Sequence, residues 1–253
     1  MDWAQVNLFF LILSRMSGFV LFNPIFGRQN VPGIVKSGLV LLLSITVFPV
    51  TAYRPAVPES ILELGVLLLL ELAMGYLLGM VINLFFYIPL LGGETIDIQM
   101  GMSMGRTYDP SSQTSTTVTA SLLNILMMLL FFAGNGHYTL LRIFMASGRV
   151  VPYGQVGFGP DVYQAILELF ISCTVMGIKL CMPILAAELL GQVGMGILMK
   201  VIPQINVFAI NIELKVIIGL TLLLLLLAPF SEYLLAAENE MLLQIQRLLL
   251  EMG

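Results

Sequence analysis

Charged residues are scarce in this sequence, and their scarcity excludes most classes of soluble protein. Of the 253 residues, 10% are Asp, Glu, Lys or Arg, whereas 58% are hydrophobic. A typical soluble domain is about 25% charged, so these charges are too few to cover a water-facing surface. We therefore predict an all-α integral membrane protein that forms a single unit over residues 1–253.

Histidine, cysteine and clustered basic residues are also nearly absent. The net charge is −4, and without a basic patch nucleic acid is not expected as a partner. The single histidine, His137, has no cysteine or carboxylate at metal-ligand spacing, so no metal site is expected. Cys173 and Cys181 would lie about 12 Å apart along a helix, which is too far for a disulfide.

Catalytic and cofactor motifs are missing as well. The chain contains no Walker P-loop, no GxSxG and no HExxH. The glycines of residues 191–196 follow an apolar helical run rather than a strand, so their spacing does not predict a nucleotide site. We expect neither an enzyme nor a bound cofactor.

Long apolar runs dominate what the sequence does contain. A spanning helix needs about 20 apolar residues, and Pro89 and Pro183 are expected kink points inside the two longest runs. Lys and Arg are divided almost evenly between the two sides of a six-span arrangement, so no orientation follows from them. The six runs are residues 4–22, 33–53, 61–91, 121–145, 162–190 and 215–235.

The C-terminal segment, residues 236–253, has a different pattern. Apolar residues such as Met241, Ile245 and Leu249 recur at helical spacing, which predicts an amphipathic tail helix. Its polar face is acidic and therefore unsuited to anionic lipid. A partner protein is favoured over the membrane surface as the binding site of this tail.

Ionisable side chains interrupt several apolar runs, where they are costly and often functional. A transporter would use them as an ion relay, whereas pairing between helices or across subunits needs no conduction path. We favour pairing, because no tight ionic cluster marks a path. These residues are Arg15, Glu63, Glu71, Glu168, Lys179 and Glu188.

Small residues recur at helical spacing, which allows helices to pack closely. Gly75 and Gly79 form a small-xxx-small pattern, and further glycines follow near residues 92–105 and 191–196. Such packing would lie within the chain, against other chains, or both.

Three stretches, taken in order, carry a family resemblance. They are RMSGFVLFNPIFGRQNVPGIVKSGL (15–39), ELAMGYLLGMVINLFFYIPLLGGETIDIQMGMSMGRTYDPSSQ (71–113) and MKVIPQINVFAINIELKVIIGL (199–220). Together they resemble the FliR family, the R subunit of the flagellar type III export gate. The related injectisome family is the T subunit of its export apparatus, and the resemblance covers essentially the whole chain.

Individual residues match the three family motifs. The family often has Gly-x-Pro near residues 211–213, where this chain has Asn-Ile-Glu, and some relatives have phenylalanine at the positions of Met104 and Thr107. The matching residues are Arg15, Gly18, Pro24, Phe26, Gly27 and Pro32, then Glu71, Gly75, Gly79, Gly93, Asp97, Gln99, Gly101 and Pro110, then Pro203, Gln204, Asn206, Phe208 and Lys215.

The resemblance implies kinked helical hairpins packed in a spiral, hetero-oligomeric export gate of the flagellar basal body. The chain would be a multi-pass protein of the bacterial inner (cytoplasmic) membrane that contacts lipid and lines the pore for unfolded secreted proteins. Its implied partners are the gate subunits P and Q and the B-type switch subunit. Energy would come from an associated ATPase and the proton-motive force, and flagellum assembly would require the gate.

One polar stretch, DIQMGMSMGRTYDPSSQTSTT (97–117), fits a pore seal. Methionine is flexible and polarizable, so it can close around chains of any sequence, and irregular backbone at membrane depth is tolerated only where it lines a cavity or protein. We expect Gly93 to Met102 to turn at a hairpin end, with Asp97 and Gln99 bonding within the assembly. The plug and pore residues are predicted to be Met100, Met102, Met104, Gly105, Arg106, Tyr108 and Pro110.

The sequence is compatible with two roles for Arg106 and with more than one class of membrane protein. Arg106 would either oppose cations at the closed seal or anchor the loop to a neighbouring carboxylate. An injectisome subunit of the same family is the alternative to a flagellar one. A small-solute secondary transporter, or a membrane scaffold without a pore, would be a different class, and a transporter would act alone or as a homo-oligomer.

Overall fold

A computed structural model describes residues 3–28, 30–51, 58, 60–102, 106–109, 114–201 and 207–253. Helices account for nearly all the regular structure in these ranges. The helices are α1 (Trp3–Leu21), α2 (Gly33–Val47), α3 (Ile61–Met100), α4 (Val118–Ala133), α5 (Gly136–Val150), α6 (Pro160–Val201), α7 (Val207–Leu225) and α8 (Leu227–Glu251). A 3₁₀ turn, Phe48–Val50, follows α2, and two short strands, β1 (Arg106–Asp109) and β2 (Thr114–Thr117), pair antiparallel.

The helices confirm an all-α, multi-pass membrane protein. Within the described ranges, four helices are long and apolar enough to cross a membrane, or up to six spans form if each bent pair counts as one. The bent pairs are α4 with α5, at 68°, and α7 with α8, at 61°. The first pair covers the predicted run 121–145. The second covers the run 215–235 and most of the tail predicted over 236–253, because α8 is continuous from Leu227 to Glu251.

Helices α3 and α6 are much longer than one span. They contain 40 and 42 residues, or about 60 Å at 1.5 Å per residue, against a hydrocarbon core of about 30 Å. Pro89 and Pro183 lie inside these helices, which continue through both prolines. Helix α7 likewise runs through residues 211–213, where the family's proline is missing.

Local sequence features are found at the starts of two helices. Ser60 Oγ accepts a hydrogen bond from the Glu63 N–H at 3.1 Å and so caps the start of α3. Pro160 and Asp161 begin α6, in keeping with the preference for proline and acidic residues in a first turn.

The chain forms two compact units. Unit 1 comprises Met1–Phe85, Asn135–Phe170 and Glu238–Gly253, and unit 2 comprises Phe86–Gly134 and Ile171–Ala237. Helices α3, α6 and α8 contribute residues to both.

The core of unit 1 is built on a close crossing of α1 and α3. A Cβ placed on Gly75 would collide with the Arg15 carbonyl and lie 2.7 Å from the Phe19 nitrogen, and one on Gly18 would collide with the Leu72 carbonyl. The glycine pattern of α3 therefore serves packing within the chain. Beside this crossing, Phe19 stacks on Phe144 of α5.

The C-terminal tail belongs to unit 1. Met241, Ile245 and Leu249 are buried by the chain itself, and the Met252 carbonyl accepts a hydrogen bond from the Gly157 N–H at 3.2 Å. A partner is therefore not needed to cover this apolar face. The sequence had favoured a partner protein as the binding site of the tail, because its polar face is acidic. Sequence periodicity identified the face, but it cannot tell whether the chain or a partner covers it.

Unit 2 also uses glycine for close packing. A Cβ on Gly92 would lie 2.9 Å from the Leu180 side chain of α6, and one on Gly177 would lie 2.8 Å from Leu91 of α3. The Tyr233 hydroxyl donates to the Met176 carbonyl at 3.1 Å, which ties α8 to α6. Cys173 and Cys181 are buried free thiols of the same helix.

Candidate functional site: a loop anchored at two helix ends

The polar stretch begins where α3 ends in a Schellman cap. Gly101 has φ +78°, the Met102 N–H donates to the Asp97 carbonyl at 2.9 Å, and the Gly101 N–H donates to the Ile98 carbonyl at 3.2 Å. Glycine adopts this left-handed backbone without strain. The predicted turn at Gly93 to Met102 is therefore wrong for all but its last residues, because α3 stays helical to Met100, where Ile96 and Met100 are buried.

Asp97 joins the end of α3 to the start of α4. Its Oδ2 accepts a hydrogen bond from the Thr119 N–H at 2.8 Å, and its Oδ1 accepts one from the Thr119 hydroxyl at 2.5 Å. The carboxylate thus caps the N-terminus of α4, where unpaired N–H groups and the helix dipole favour a negative charge. Asp97 is fully buried and makes these bonds inside the chain, whereas Gln99 is half-buried.

Two further contacts hold the base of the loop. A Cβ on Gly93 would collide with the Ala120 backbone, so α3 and α4 touch there. The hydroxyls of Thr116 and Ser121 lie 2.7 Å apart and share a hydrogen bond. The two ends of the loop, after Met100 and before Val118, are therefore held close together within unit 2.

Between these anchors, β1 and β2 pair in a defined register. Arg106 lies opposite Thr117, and Asp109 lies opposite Thr114. The strands were not predicted, although the β-branched run TSTT favours strand structure and could have been the signal. Arg106 and Tyr108 lie in β1, whereas Met104, Gly105 and Pro110 fall outside the described residues.

The two methionines nearest the anchor differ in their surroundings. Met100 is fully buried, and its Sδ packs over Gly219 of α7, where a Cβ would collide with it. Met102 is half-buried just beyond the cap. The structure thus places Met100 in the core of unit 2 and Met102 at the foot of the loop.

A second polar cluster lies in the core of unit 1. Arg15 and Glu71 are both fully buried and form a two-point ion pair, with Nε to Oε2 at 2.5 Å and Nη2 to Oε1 at 3.1 Å. Arg15 Nη1 also donates to the Val151 carbonyl at 3.0 Å, and Glu71 Oε1 accepts from the Gly154 N–H at 2.7 Å. The pair therefore fastens the α5–α6 connector to α1 and α3.

Tyr153 completes this cluster. The Arg15 guanidinium lies 4.1 Å from the centre of the Tyr153 ring, which allows a cation–π contact. Burial raises the pKa of the Tyr153 hydroxyl, and the nearby Arg15 charge opposes that shift. Arg15 and Glu71 thus find their partners within the chain, as the pairing hypothesis allowed.

The other charges inside apolar runs have separate environments. Glu168 accepts a hydrogen bond from Gln164 at 2.9 Å on the exposed side of α6, and Lys179 is exposed on the same helix. Glu188 is 1% exposed, and its Oε1 has no hydrogen-bond partner among the described residues. The structure does not bring these side chains together as a relay.

The family-motif residues Pro24, Gly27 and Pro32 lie in the chain reversal between α1 and α2, which the neighbouring Asn23 also stabilises. The Asn23 side chain accepts from the Ile25 N–H at 2.8 Å, Gly27 packs against backbone carbonyls, and Pro32 precedes the first turn of α2. Pro24 lies in that reversal, and Phe26 packs edge-on against Phe19.

Residues of the third motif are partly outside the described ranges. Pro203, Gln204 and Asn206 fall there, whereas Phe208 and Lys215 lie in α7 and Lys215 is half-buried.

Known proteins resemble this chain over nearly its full length. Residues 6–241 match the family of bacterial export proteins, family 1. The flagellar biosynthetic protein FliR of Pectobacterium carotovorum subsp. carotovorum is 30% identical, with 96% of this chain and 95% of the relative covered. FliR of Escherichia coli (strain K12) is 27% identical over 92% of this chain and 90% of the relative.

A protein that is not named as flagellar is similar as well. The Yop proteins translocation protein T of Yersinia pestis is 26% identical over 85% of this chain and 84% of that protein. These matches agree with the three motifs on which the resemblance rests. The chain belongs to the bacterial export proteins, family 1.

Proposed function

We propose that this protein is a core subunit of the flagellar type III export gate in the bacterial inner membrane. It lines and seals the secretion pore for unfolded flagellar proteins and is needed for flagellum assembly. Its family and its FliR relatives support the gate role. The observation that supports the seal is the loop of residues 101–117, which starts and ends at the buried Asp97–Thr119 contact.

A seal of this kind needs a rigid base and a deformable tip. The Schellman cap and the Asp97 bonds hold the base. A two-stranded ladder is only marginally stable by itself, so β1 can separate from β2 at low cost when a chain passes. The buried Thr116 and Thr117 keep β2 at the base of the loop. Met102 and Met104 supply flexible apolar side chains, and the Thr114–Thr117 strand supplies an uncharged polar flank.

The apolar outer surface supports assembly with other gate subunits. Large apolar side chains are exposed along several helices, including Ile34 of α2, Leu62 of α3 and Leu190 of α6. Lipid covers part of this surface, and the P and Q subunits and the B-type switch subunit cover the rest. In that assembly the chain contributes kinked hairpins to a spiral around the pore.

Energy for transport comes from other components. The matching family is that of bacterial export proteins, and the FliR relatives are named flagellar biosynthetic proteins, which supports a role in passage rather than in energy supply. The protein acts as a passage and a seal, and it catalyses no reaction itself.

Deleting residues 104–113 tests the seal. The deletion removes the tip and leaves the Asp97 anchor intact, so the gate should assemble with its P and Q subunits yet conduct ions when idle. Ion flux is measured in cells and in vesicles that contain the purified gate. An unchanged flux in a fully assembled gate would contradict the sealing role.

Asp97→Ala supplies a second variant with the tip present. Losing this cap weakens the base by about 1 kcal/mol, so the idle flux should rise less than in the deletion. Thr95→Val is the matched control, because the Thr95 hydroxyl donates to the Leu91 carbonyl of its own helix and lies beside the Cys181 thiol of α6, so it takes no part in the Asp97–Thr119 contact. This control should leave the flux unchanged.

An injectisome subunit is the second candidate, favoured by the similarity to the Yersinia protein. Disrupting the gene distinguishes the two, because loss of flagella supports the flagellar gate and loss of effector secretion alone supports the injectisome. A transporter would instead be isolated as a lone monomer or homo-oligomer when P and Q are co-expressed.

A further inference from the structure

Glu188 is a buried carboxyl group that neither the fold nor the seal explains. It lies in α6 with 1% of its surface exposed, and its Oε1 has no hydrogen-bond partner in the described ranges. Because the chain itself closes over Glu188, a neighbouring subunit is not what buries it. An ionised carboxylate in such a place is costly unless a cation or several donors compensate it.

Glu188 lies close to Met100, the residue directly before the pore loop. A Cβ on Gly219 of α7 would collide with the sulfur of Met100 and would lie 3.3 Å from Glu188 Oε1. Met100 and Glu188 therefore meet over the same glycine. Met100 is the last residue of α3, directly before the left-handed Gly101.

Charged groups near Glu188 are few. Lys215 lies one turn before Gly219 on α7, and its charge acts on Glu188. The two do not form an ion pair within 4.0 Å, since the salt bridges among described residues are Arg15–Glu71 and Arg247–Glu251. On α3 the titratable side chain of the last turn, Asp97, is bonded to Thr119.

We propose that Glu188 is a proton-binding site that controls how firmly the start of the pore loop is held. With its proton, the neutral side chain packs beside Met100 and over Gly219. When the proton leaves to water, the carboxylate moves toward Lys215, Met100 loses a packing partner, and the cap at Gly101 loosens. This inference rests on the proposed function of the loop as the seal.

The test measures loop release directly. Cysteine is placed at Met102, just beyond the cap, and its modification by a maleimide is followed against pH in the purified gate with P and Q. The intrinsic pH dependence of the thiol reaction is removed by dividing by the rate of the denatured protein. The corrected rate should rise with pH, by at most about tenfold per pH unit for release linked to one proton.

Variants assign this response to Glu188. Glu188→Gln keeps the shape and removes the charge, so the corrected rate should stay low and flat with pH. Lys215→Gln removes the attracting cation and should shift the response to higher pH. Glu168→Gln is the matched control on the same helix, and because Glu168 is exposed it should leave the response unchanged.

The outcomes separate this inference from the sealing role. A flat wild-type response, or one that persists in Glu188→Gln, overturns the proton-binding site. A response that depends on Glu188, together with unchanged ion flux after deletion of 104–113, supports the site and overturns the seal. A Glu188-dependent response with a matching rise of flux at high pH supports both.

Discussion

Arg15 illustrates how one side chain can organise a unit of this protein. Its guanidinium contacts Glu71 of α3, the Val151 carbonyl and the Tyr153 ring. All these partners are local to unit 1. The sequence shows that Arg15 and Glu71 are costly charges within apolar runs. It does not show that they pair, because the contact joins residues 56 positions apart.

Removing either member of this pair should destabilise unit 1 strongly. Arg15→Ala or Glu71→Ala leaves a buried charge without its partner, at a cost of about 3–5 kcal/mol. The double replacement by Met leaves no such charge and should recover much of that loss. Thermal unfolding of the purified gate in detergent measures the difference.

Arg247→Ala is the control for the buried pair. Arg247 contacts Glu251 at 3.7 Å on an exposed face, and such surface pairs contribute about 0–1 kcal/mol. A loss for Arg15→Ala no larger than that of Arg247→Ala would show that the buried network does not stabilise unit 1.

At the scale of elements, helix crossings decide which glycines matter. Gly75 meets the α1 backbone directly, whereas Gly65 of the same helix has nothing within 4 Å of the position that a Cβ would occupy. In the sequence, the spacing of Gly75 and Gly79 predicts close helix packing, whereas Gly65 has no such partner. Only the structure shows that the helix packed against Gly75 is α1.

Gly75→Ala should therefore disrupt the α1–α3 crossing. Its methyl group would meet backbone atoms that cannot rotate away, so the cost should exceed the roughly 1–3 kcal/mol of ordinary overpacking. Gly65→Ala should instead be neutral or stabilising by about 0.5–1 kcal/mol, because alanine favours helix. Accumulation in membranes and melting temperature are compared for the two variants, and equal effects would contradict the crossing.

Local sequence features accompany several helix ends, although the end of α3 lies nine residues beyond the predicted run 61–91. The bends and strands were not predicted. Ser60, Asp161 and Gly101 carry local signals that depend on one or two neighbours in the chain. The 68° bend between α4 and α5 occurs around Asn135, which has φ +56°. An apolar run shows that a span exists, but the bend depends on packing from other elements.

At the scale of the whole molecule, the chain divides its residues between two units that are not contiguous in sequence. The C-terminal part of α8 returns to unit 1, where Ile245 and Leu249 are buried. The opposite side of the tail remains outside, with Leu243 and Leu250 exposed. The tail therefore has an inner face that packs against the rest of unit 1 and an exposed outer face that a partner or lipid could contact.

Point variants distinguish these two faces. Ile245→Ala leaves a cavity in unit 1 and should cost about 2–5 kcal/mol, seen as poor accumulation even when the chain is expressed alone. Leu243→Ala is exposed and should leave the stability of the lone chain unchanged. If Leu243→Ala nevertheless reduces recovery of the assembled gate, a partner covers the outer face. If Leu243→Ala destabilises the lone chain, this placement of the tail is contradicted.

The sequence by itself determined the class of this protein and the place of its polar loop. The class follows from the scarcity of charges, from apolar runs of spanning length and from three ordered motifs. These features can be recognised without a tertiary structure, because each depends on residue type and local spacing. Only the tertiary structure decided which charges pair, which glycines lie at crossings and what covers the tail. It also placed Met100 in the core and Asp97 at the cap of α4, since these contacts join segments whose proximity depends on how the helices pack.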